Sequence, residues 1–306
     1  MVNVKPFKLI LQKTQKELKE LLFNYLTKKD YTPTDGDGYL YAKGDIPILL
    51  VAHLDTVHRE IPKDVFFDEE QMVMWSPTGI GGDDRCGVYL ITQIINHGFR
   101  PHILFLEDEE KGCIGAGKCT KELEKPNVKF MVEIDRKGEN DCVFYDCENK
   151  AFISYIETFG FEKAFGSFTD VCTLSKAWDI ASVNLSSGYY NAHTNTEYIK
   201  LRELNQTYRR VIEILEDDND EKPYYDYQPR VYKTYSYSKK KENENEEDAD
   251  GIFDDWNDTG WSNKNFKEEH KYLCSWEGNI YYTDCWYDRE GRKHQYAEDE
   301  DPKDLI

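Results

Sequence analysis

The chain has 306 residues, enough to bury a large hydrophobic core, and a formal net charge of -20 at pH 7. This excess of acidic residues argues against nucleic acids and anionic membrane surfaces as partners, because their phosphates would be repelled. No apolar run reaches the roughly 18 residues of a membrane helix, and the first residues lack the apolar core of a signal peptide, so we expect a cytoplasmic protein.

The eight cysteines are scattered singly along the chain and form no C-x-x-C pair. This spacing argues against a zinc ribbon, and without a secretory signal a disulfide framework is not expected. We therefore expect reduced cysteines that pack as small side chains.

The N-terminal half is predicted to alternate helices with buried strands. Apolar residues recur at helical spacing from residue 14 to 29, behind a capping box formed by Thr14 and Glu17. Strands are expected at 39–42 and 48–52, and the second is apolar throughout, which indicates burial on both faces. A strand, a helix and another buried strand follow, at 72–75, 87–96 and 102–106.

The same alternation continues to about residue 215. The patterns predict a helix, a strand, two helices, a strand and a closing helix, at 115–123, 128–134, 150–157, 170–178, 181–185 and 201–215. This order indicates an α/β fold, a three-layer sandwich with a mostly parallel central sheet between helices. Ligands bind such sheets at the carboxyl ends of the strands. Four candidate side chains fall at or just past such ends: His53, Glu109, Glu110 and Asp135.

The composition changes beyond residue 217. Residues 218–306 contain 24 acidic and 13 basic residues, with a charged, apolar-poor run near the start. We therefore expect one folded domain over 1–217 and a disordered acidic linker over 218–252. The remaining segment, 253–306, is rich in aromatic residues and is expected to form a small appendage with a hairpin of 272–276 and 280–286. This appendage is a candidate contact for a protein partner.

Five fragments supply imidazoles and carboxylates in a fixed chain order: 53–57, 81–87, 107–112, 133–136 and 191–197. Such groups are the usual ligands of catalytic zinc, and a pair of ions needs one carboxylate that binds both. Asp83, on its glycine-flanked turn, is predicted to be that bridge. The other ligands are predicted to divide into two pairs, His53 with Asp135 and Glu110 with His193.

Two further carboxylates complete the predicted site. Asp55 lies two residues after His53 and is expected to accept the second ring N–H of that histidine, which would orient the ligand. Glu109 is left without a metal and is predicted to be the general base.

The motifs resemble those of the co-catalytic zinc exopeptidases, which include bacterial zinc aminopeptidases, tetrahedral aminopeptidase and peptidase T. His53 and Asp55 match the family pattern H-x-D, and residues 83–87 match D-D-[KR]-x-G. Residues 109–116 match E-E-x-G-x-x-G-A, whereas Asp135 and His193 match by chain order. The resemblance covers about residues 10–216 and implies a cis peptide bond between Asp83 and Asp84.

The resemblance implies metal-dependent hydrolysis of peptide or amide bonds by an exopeptidase, most specifically an aminopeptidase. Two divalent ions are expected, zinc or alternatively cobalt or manganese, with a peptide or acylated amino acid as substrate. A hydroxide bridging the metals would attack the carbonyl, and Glu109 would take and return the proton. The intervals between these motifs are too short for the lid or inserted domain of many relatives, so a metal or a local group such as Tyr189 or Tyr190 must stabilise the oxyanion.

The residues leave three other functions open. A deacylase of N-acyl amino acids or a glutaminyl-cyclase-like enzyme would share much of this site, and the cyclase is expected to use one metal. A binding module of the same fold would have lost one or more ligands, and the sequence retains the full set.

Overall fold

The computed structural model describes residues 3–217 and 223–230 in full and the backbone of four short strands between 272 and 295. The chain divides into two compact units, Met1–Thr234 and Tyr235–Ile306.

The described part of the first unit alternates strands and helices. Its helices are α1 (Val4–Leu11), α2 (Gln15–Lys28), α3 (Gly82–His97), α4 (Ile114–Glu122), α5 (Lys150–Glu157), α6 (Asp170–Trp178) and α7 (Leu201–Glu216). Its strands are β1 (Pro33–Gly36), β2 (Tyr39–Ala42), β3 (Ile46–His53), β4 (Phe66–Asp68), β5 (Val73–Trp75), β6 (Pro101–Leu106), β7 (Phe130–Arg136), β8 (Asp141–Val143), β9 (Glu162–Lys163), β10 (Ser182–Ser186), β11 (Tyr189–Tyr190) and β12 (Tyr198–Lys200).

The main sheet has eight strands in the order β1-β2-β6-β3-β7-β10-β8-β9. The four central strands, β6, β3, β7 and β10, run parallel. β3 lies between β6 and β7, so the connections that leave these strands diverge at its carboxyl end. This is the switch point at which open α/β sheets bind ligands.

Successive side chains of a strand point to opposite faces of the sheet. Both faces of the central strand β3 are apolar, and helices cover both of them. On β3, Leu50 and Ala52 pack in the core beneath α1, α2, α3, α5 and α7, whereas Leu49 and Val51 pack against α4 and α6. The predicted three-layer sandwich with a mostly parallel sheet is therefore confirmed.

A second, antiparallel sheet joins β11, β12, β5 and β4 in that order. β12 pairs with β5 through Tyr198 and Trp75, and with β11 through Ile199 and Tyr189. This small sheet fixes the chain on either side of the loop that contains His193.

The first unit differs from the expectations at both ends. α1 was not predicted from the sequence. Its Pro6 is compatible with a helix, because it lies in the first turn, where a missing N–H breaks no helical bond. Residues 223–230 belong to the folded unit rather than to the expected linker. Tyr225 is 9% exposed, its N–H donates to Lys129 O, and its ring stacks on Tyr155. Aromatic burial thus holds this segment on the domain, past the expected boundary at 217.

In the second unit, the four described strands form an antiparallel sheet in sequence order: β13 (Tyr272–Trp276), β14 (Asn279–Tyr282), β15 (Cys285–Tyr287) and β16 (Lys293–Gln295). β13 pairs with β14 as the hairpin prediction requires, but the expected second arm, 280–286, is divided between β14 and β15. The rest of the expected linker and appendage lies outside the described residues.

Among the described residues, no helix is both long and apolar enough to span a membrane.

Candidate metal centre

His53 ends the central strand β3 and is fully buried. Its Nε2 lies 3.0 Å from Asp83 Oδ1 and 3.7 Å from Asp135 Oδ2, and its Nδ1 lies 3.3 Å from Asp55 Oδ1. Burial lowers the pKa of His53, but Asp135, Asp55 and Asp83 together outweigh that effect and raise the pKa well above its ordinary value. Carboxylates therefore face both nitrogens of this ring.

The turn before α3 presents Asp83 to His53. The Asp83–Asp84 peptide bond is cis, as the resemblance implied. The Asp84 carboxylate is buried under the turn, where it accepts the N–H groups of His53 at 3.3 Å and Gly87 at 2.8 Å. A Cβ at Gly87 would lie 2.5 Å from Asp84 Oδ1, so only glycine fits here. The D-D-x-x-G pattern thus follows from the packing of Asp84 beneath Asp83.

The two oxygens of Asp83 face two different histidines. Oδ1 lies 3.0 Å from His53 Nε2, and Oδ2 lies 3.2 Å from His193 Nε2. His193 Nε2 is also 3.2 Å from Glu110 Oε1. Hydrogen bonds with Asp83 and Glu110 raise the pKa of His193 to about 10. Asp83 therefore lies between the two predicted ligand pairs.

Asp55 connects His53 to the acidic turn that follows β6. Its Oδ1 accepts the N–H of Glu109 at 3.0 Å, and its Oδ2 accepts the N–H of Glu110 at 3.2 Å. The same carboxylate faces His53 Nδ1. Asp55 thus holds two predicted ligands and the predicted base in one arrangement, as acids that orient metal ligands do.

Glu109 lies beside the ligands, because its N–H and that of Glu110 bind the same Asp55 carboxylate. Its Oε1 accepts a hydrogen bond from the thiol of Cys113 at 3.6 Å. Burial raises the pKa of Glu109; His53 opposes this shift, and Glu110 and Asp83 add to it. A carboxylate with a raised pKa is suited to take up a proton and release it again.

Asp135 lies near the end of β7, where Asn184 and Tyr189 hold it. Its N–H donates to Asn184 Oδ1 at 2.8 Å, and the Tyr189 hydroxyl donates to Asp135 Oδ1 at 3.2 Å. The hydroxyl of Tyr190 instead donates to Glu203, away from the ligands. The role of either tyrosine toward the substrate stays a prediction.

The residues fit a divalent metal. One ligand atom from each of His53, Asp83 and Glu110 lies within 4.8 Å of the others. Glu110 Oε1 is buried and faces His193 Nε2 at 3.2 Å. Burial together with neighbouring carboxylates raises the pKa values of Asp84 and Asp135 well above the ordinary value, which reflects crowded negative charge. Nitrogen and oxygen donors around such an excess of buried charge are what divalent cations bind.

Three buried acids near the site had no role in the sequence reasoning. Glu197 is 1% exposed and accepts hydrogen bonds from the N–H groups of Gly81 and Asp83. Glu133 and Asp170 are fully buried, and their oxygens have no hydrogen-bond partner in the described part of the chain. Glu133 could have been found, since it lies two residues before Asp135 on one strand and therefore on the same face.

Burial raises the pKa of Asp170 to about 8; His53 opposes this shift, and Glu109 adds to it. Burial, with Asp170 and Glu109 adding to it, raises the pKa of Glu133 well above its ordinary value. Burial and a charge on Asp170 therefore both oppose ionisation of Glu133.

Solved structures share this fold, whereas no protein family and no curated protein matches the sequence. Aminopeptidase PepT from Bacillus cereus is 15% identical with a TM-score of 0.58, over 70% of this chain and 97% of its own. A tripeptidase from Staphylococcus aureus is 14% identical with a TM-score of 0.57, over 69% and 96%. An aminopeptidase from the archaeon Desulfurococcus kamchatkensis is 13% identical with a TM-score of 0.54, over 70% and 94%. The resemblance suggested by the motifs is thus confirmed at the level of the fold, which this chain shares with aminopeptidases.

Proposed function

We propose that this protein is a metal-dependent exopeptidase, most specifically an aminopeptidase, with a dinuclear zinc site. The observation that carries the proposal is the position of Asp83, whose two oxygens each face a different histidine, His53 and His193. One ion would be held by His53 and Asp135 and the other by Glu110 and His193, with Asp83 shared. Cobalt or manganese would suit the same donors.

A pair of divalent ions supplies an activated water and polarises the carbonyl of the scissile bond. Glu109 moves the protons. Its Oε1 is held by the Cys113 thiol, so Oε2 is the atom that takes the proton from water and delivers it to the leaving amine. The raised pKa of Glu109 supports both steps, because the carboxyl must be deprotonated first and acidic afterwards.

The substrate class is inferred from fold similarity together with the site. Structures with this fold include aminopeptidases and a tripeptidase, and each covers about 70% of this chain. The expected substrates are therefore short peptides with a free amino terminus. An N-acyl amino acid deacylase is the alternative that the same metal ligands and base would serve.

The test compares free-amine dipeptides and tripeptides with their N-acetylated forms, with and without added zinc. Wild-type protein should cleave the free-amine peptides in a metal-dependent reaction. Glu109→Gln should lower turnover about 10²- to 10⁴-fold, the usual contribution of a general base, without loss of bound metal.

Asp108→Asn is the matched control, because Asp108 contacts Gln15 and Lys111 instead of the ligands. It should retain wild-type turnover. Full activity in Glu109→Gln would contradict the assigned base. Cleavage of the acetylated substrates alone would replace the aminopeptidase with the deacylase.

A further inference from the structure

Glu197 joins three segments of the chain next to the metal ligands. Its Oε2 accepts the N–H of Gly81 at 2.8 Å and lies 2.8 Å from His58 Nε2. Its Oε1 accepts the N–H of Asp83 at 3.1 Å. With three partners for one carboxylate that is 1% exposed, this side chain is held in a single position.

The backbone that Glu197 holds is the turn that presents the bridging carboxylate. Gly81 has a φ of 67° and precedes α3, and Asp83 follows two residues later. Two backbone N–H groups of this turn donate to the same side chain. The position of the Asp83 carboxylate therefore depends on where Glu197 lies.

Glu197 is also the buried end of the loop that contains His193. The residues from Asn191 to Thr196 are exposed or half-buried, and the hydroxyl bonds of Thr194 stay inside the loop, to Asn191 and Thr196. The side chain of His193 is 43% exposed. One carboxylate thus links the loop of this histidine to the turn of the bridging aspartate.

The other predicted histidine ligand has independent support. His53 ends a central strand, is fully buried, and donates its N–H to Asp84 at 3.3 Å. Its ring also faces Asp55, which binds the acidic turn. Loss of Glu197 should therefore disturb the two ligand pairs unequally.

We propose that Glu197 is a positioning residue for the second metal site, the one assigned to Glu110 and His193. It would fix His193 and Asp83 Oδ2, the oxygen that faces this histidine, relative to each other. The inference rests on the proposed dinuclear centre. Its loss should weaken the ion on Glu110 and His193 far more than the ion on His53 and Asp135.

Glutamine at this position keeps the size but has one acceptor oxygen, so at least one of the two backbone N–H groups loses its partner. Changes in residues that orient metal ligands typically cost 10- to 100-fold in metal affinity. We expect that loss in Glu197→Gln for the weaker of two zinc equivalents and less than about threefold for the tighter one.

The experiment titrates the metal-depleted full chain with zinc by calorimetry and with cobalt by absorption, which reports the ligand set of each ion. The variants are Glu197→Gln, His58→Phe and the control Glu148→Gln, whose carboxylate pairs with Arg230. His58→Phe keeps both backbone bonds of Glu197 and should bind both ions nearly as wild type does. Excess zinc should restore the second equivalent in Glu197→Gln.

Three outcomes would overturn the inference. Two ions bound equally by wild type and Glu197→Gln would contradict it alone, and so would an equal loss of both ions, which indicates general disruption of the fold. Wild-type protein that binds no second ion would contradict the proposed function as well, so the two failures are distinguishable.

Discussion

Replacing Asp55 with asparagine tests how the site is held together. The Asp55 carboxylate accepts the N–H groups of Glu109 and Glu110 and faces His53 Nδ1. Asparagine has the same shape but one acceptor oxygen and an NH₂ group, so at least one of these three donors would face another donor. A buried donor without a partner costs about 1 to 3 kcal/mol.

That cost corresponds to a loss of about 5- to 150-fold, because each 1.4 kcal/mol is a factor of ten. It overlaps the 10- to 100-fold range typical of residues that orient metal ligands. We therefore expect Asp55→Asn to bind zinc about 10- to 100-fold more weakly, with a comparable fall in kcat/KM.

The assay measures zinc affinity of the metal-depleted protein by competition with a chromophoric chelator, alongside kcat/KM for a free-amine peptide. Asp37→Asn is the control, because the Asp37 side chain is 66% exposed and pairs with Lys118 at the surface. Such a pair contributes at most about 1 kcal/mol. Zinc affinity and turnover in Asp55→Asn that equal those of the control would refute the assigned role.

Three further changes test separate parts of the structure. Gly87→Ala places a Cβ 2.5 Å from Asp84 Oδ1 and should lower the free energy of unfolding by about 1 to 3 kcal/mol; an unchanged melting temperature would contradict this packing. Tyr189→Phe removes the hydroxyl beside Asp135 and should lower kcat about 10²-fold if that hydroxyl stabilises the oxyanion. Wild-type turnover would exclude the role for Tyr189, and Tyr190→Phe tests the alternative tyrosine, whose hydroxyl donates to Glu203. Burial, reinforced by Lys43, lowers the pKa of His102 from 6.5 to about 4, so the folded state favours the neutral ring. Stability from this group is complete above pH 6.5 and is lost as the pH falls toward 4, by on the order of 1 to 2 kcal/mol after solvent screening. Denaturant unfolding of metal-free His102→Gln should lack this component, and an unchanged pH profile would refute it.

The long elements of the fold could be predicted from the sequence because their patterns are strong. The helices expected at 150–157 and 170–178 are α5 and α6 with the same bounds, and the apolar run at 48–52 lies within β3. That His53 and Asp135 lie at the same edge of the sheet could also be predicted, because ligands bind open α/β sheets at the carboxyl ends of the strands.

The strands that were missed are short. β4, β8 and β12 have three residues each and β9 and β11 have two, too few for a period of two to be visible. Their pairing depends on partners distant in sequence, as when Tyr198 of β12 meets Trp75 of β5.

In the candidate site, too, local motifs could be predicted from the sequence, whereas contacts between distant residues could not. Motif order was enough to predict which histidines and carboxylates come together, because each motif is local. The supports of the site could not be predicted this way. Glu197 contacts a turn 114 residues earlier in the chain, and Asn184 contacts a strand 49 residues earlier. Only the folded backbone brings such pairs together.

The most direct test of the account is the zinc content of the purified full chain after saturation and removal of excess metal, measured by elemental analysis beside Asp83→Asn. The account predicts two ions per wild-type chain and a loss of at least one in the variant, because an amide cannot bridge both ions through two oxygens. One ion in both proteins would contradict the bridging role of Asp83, and none in either would contradict the metal centre.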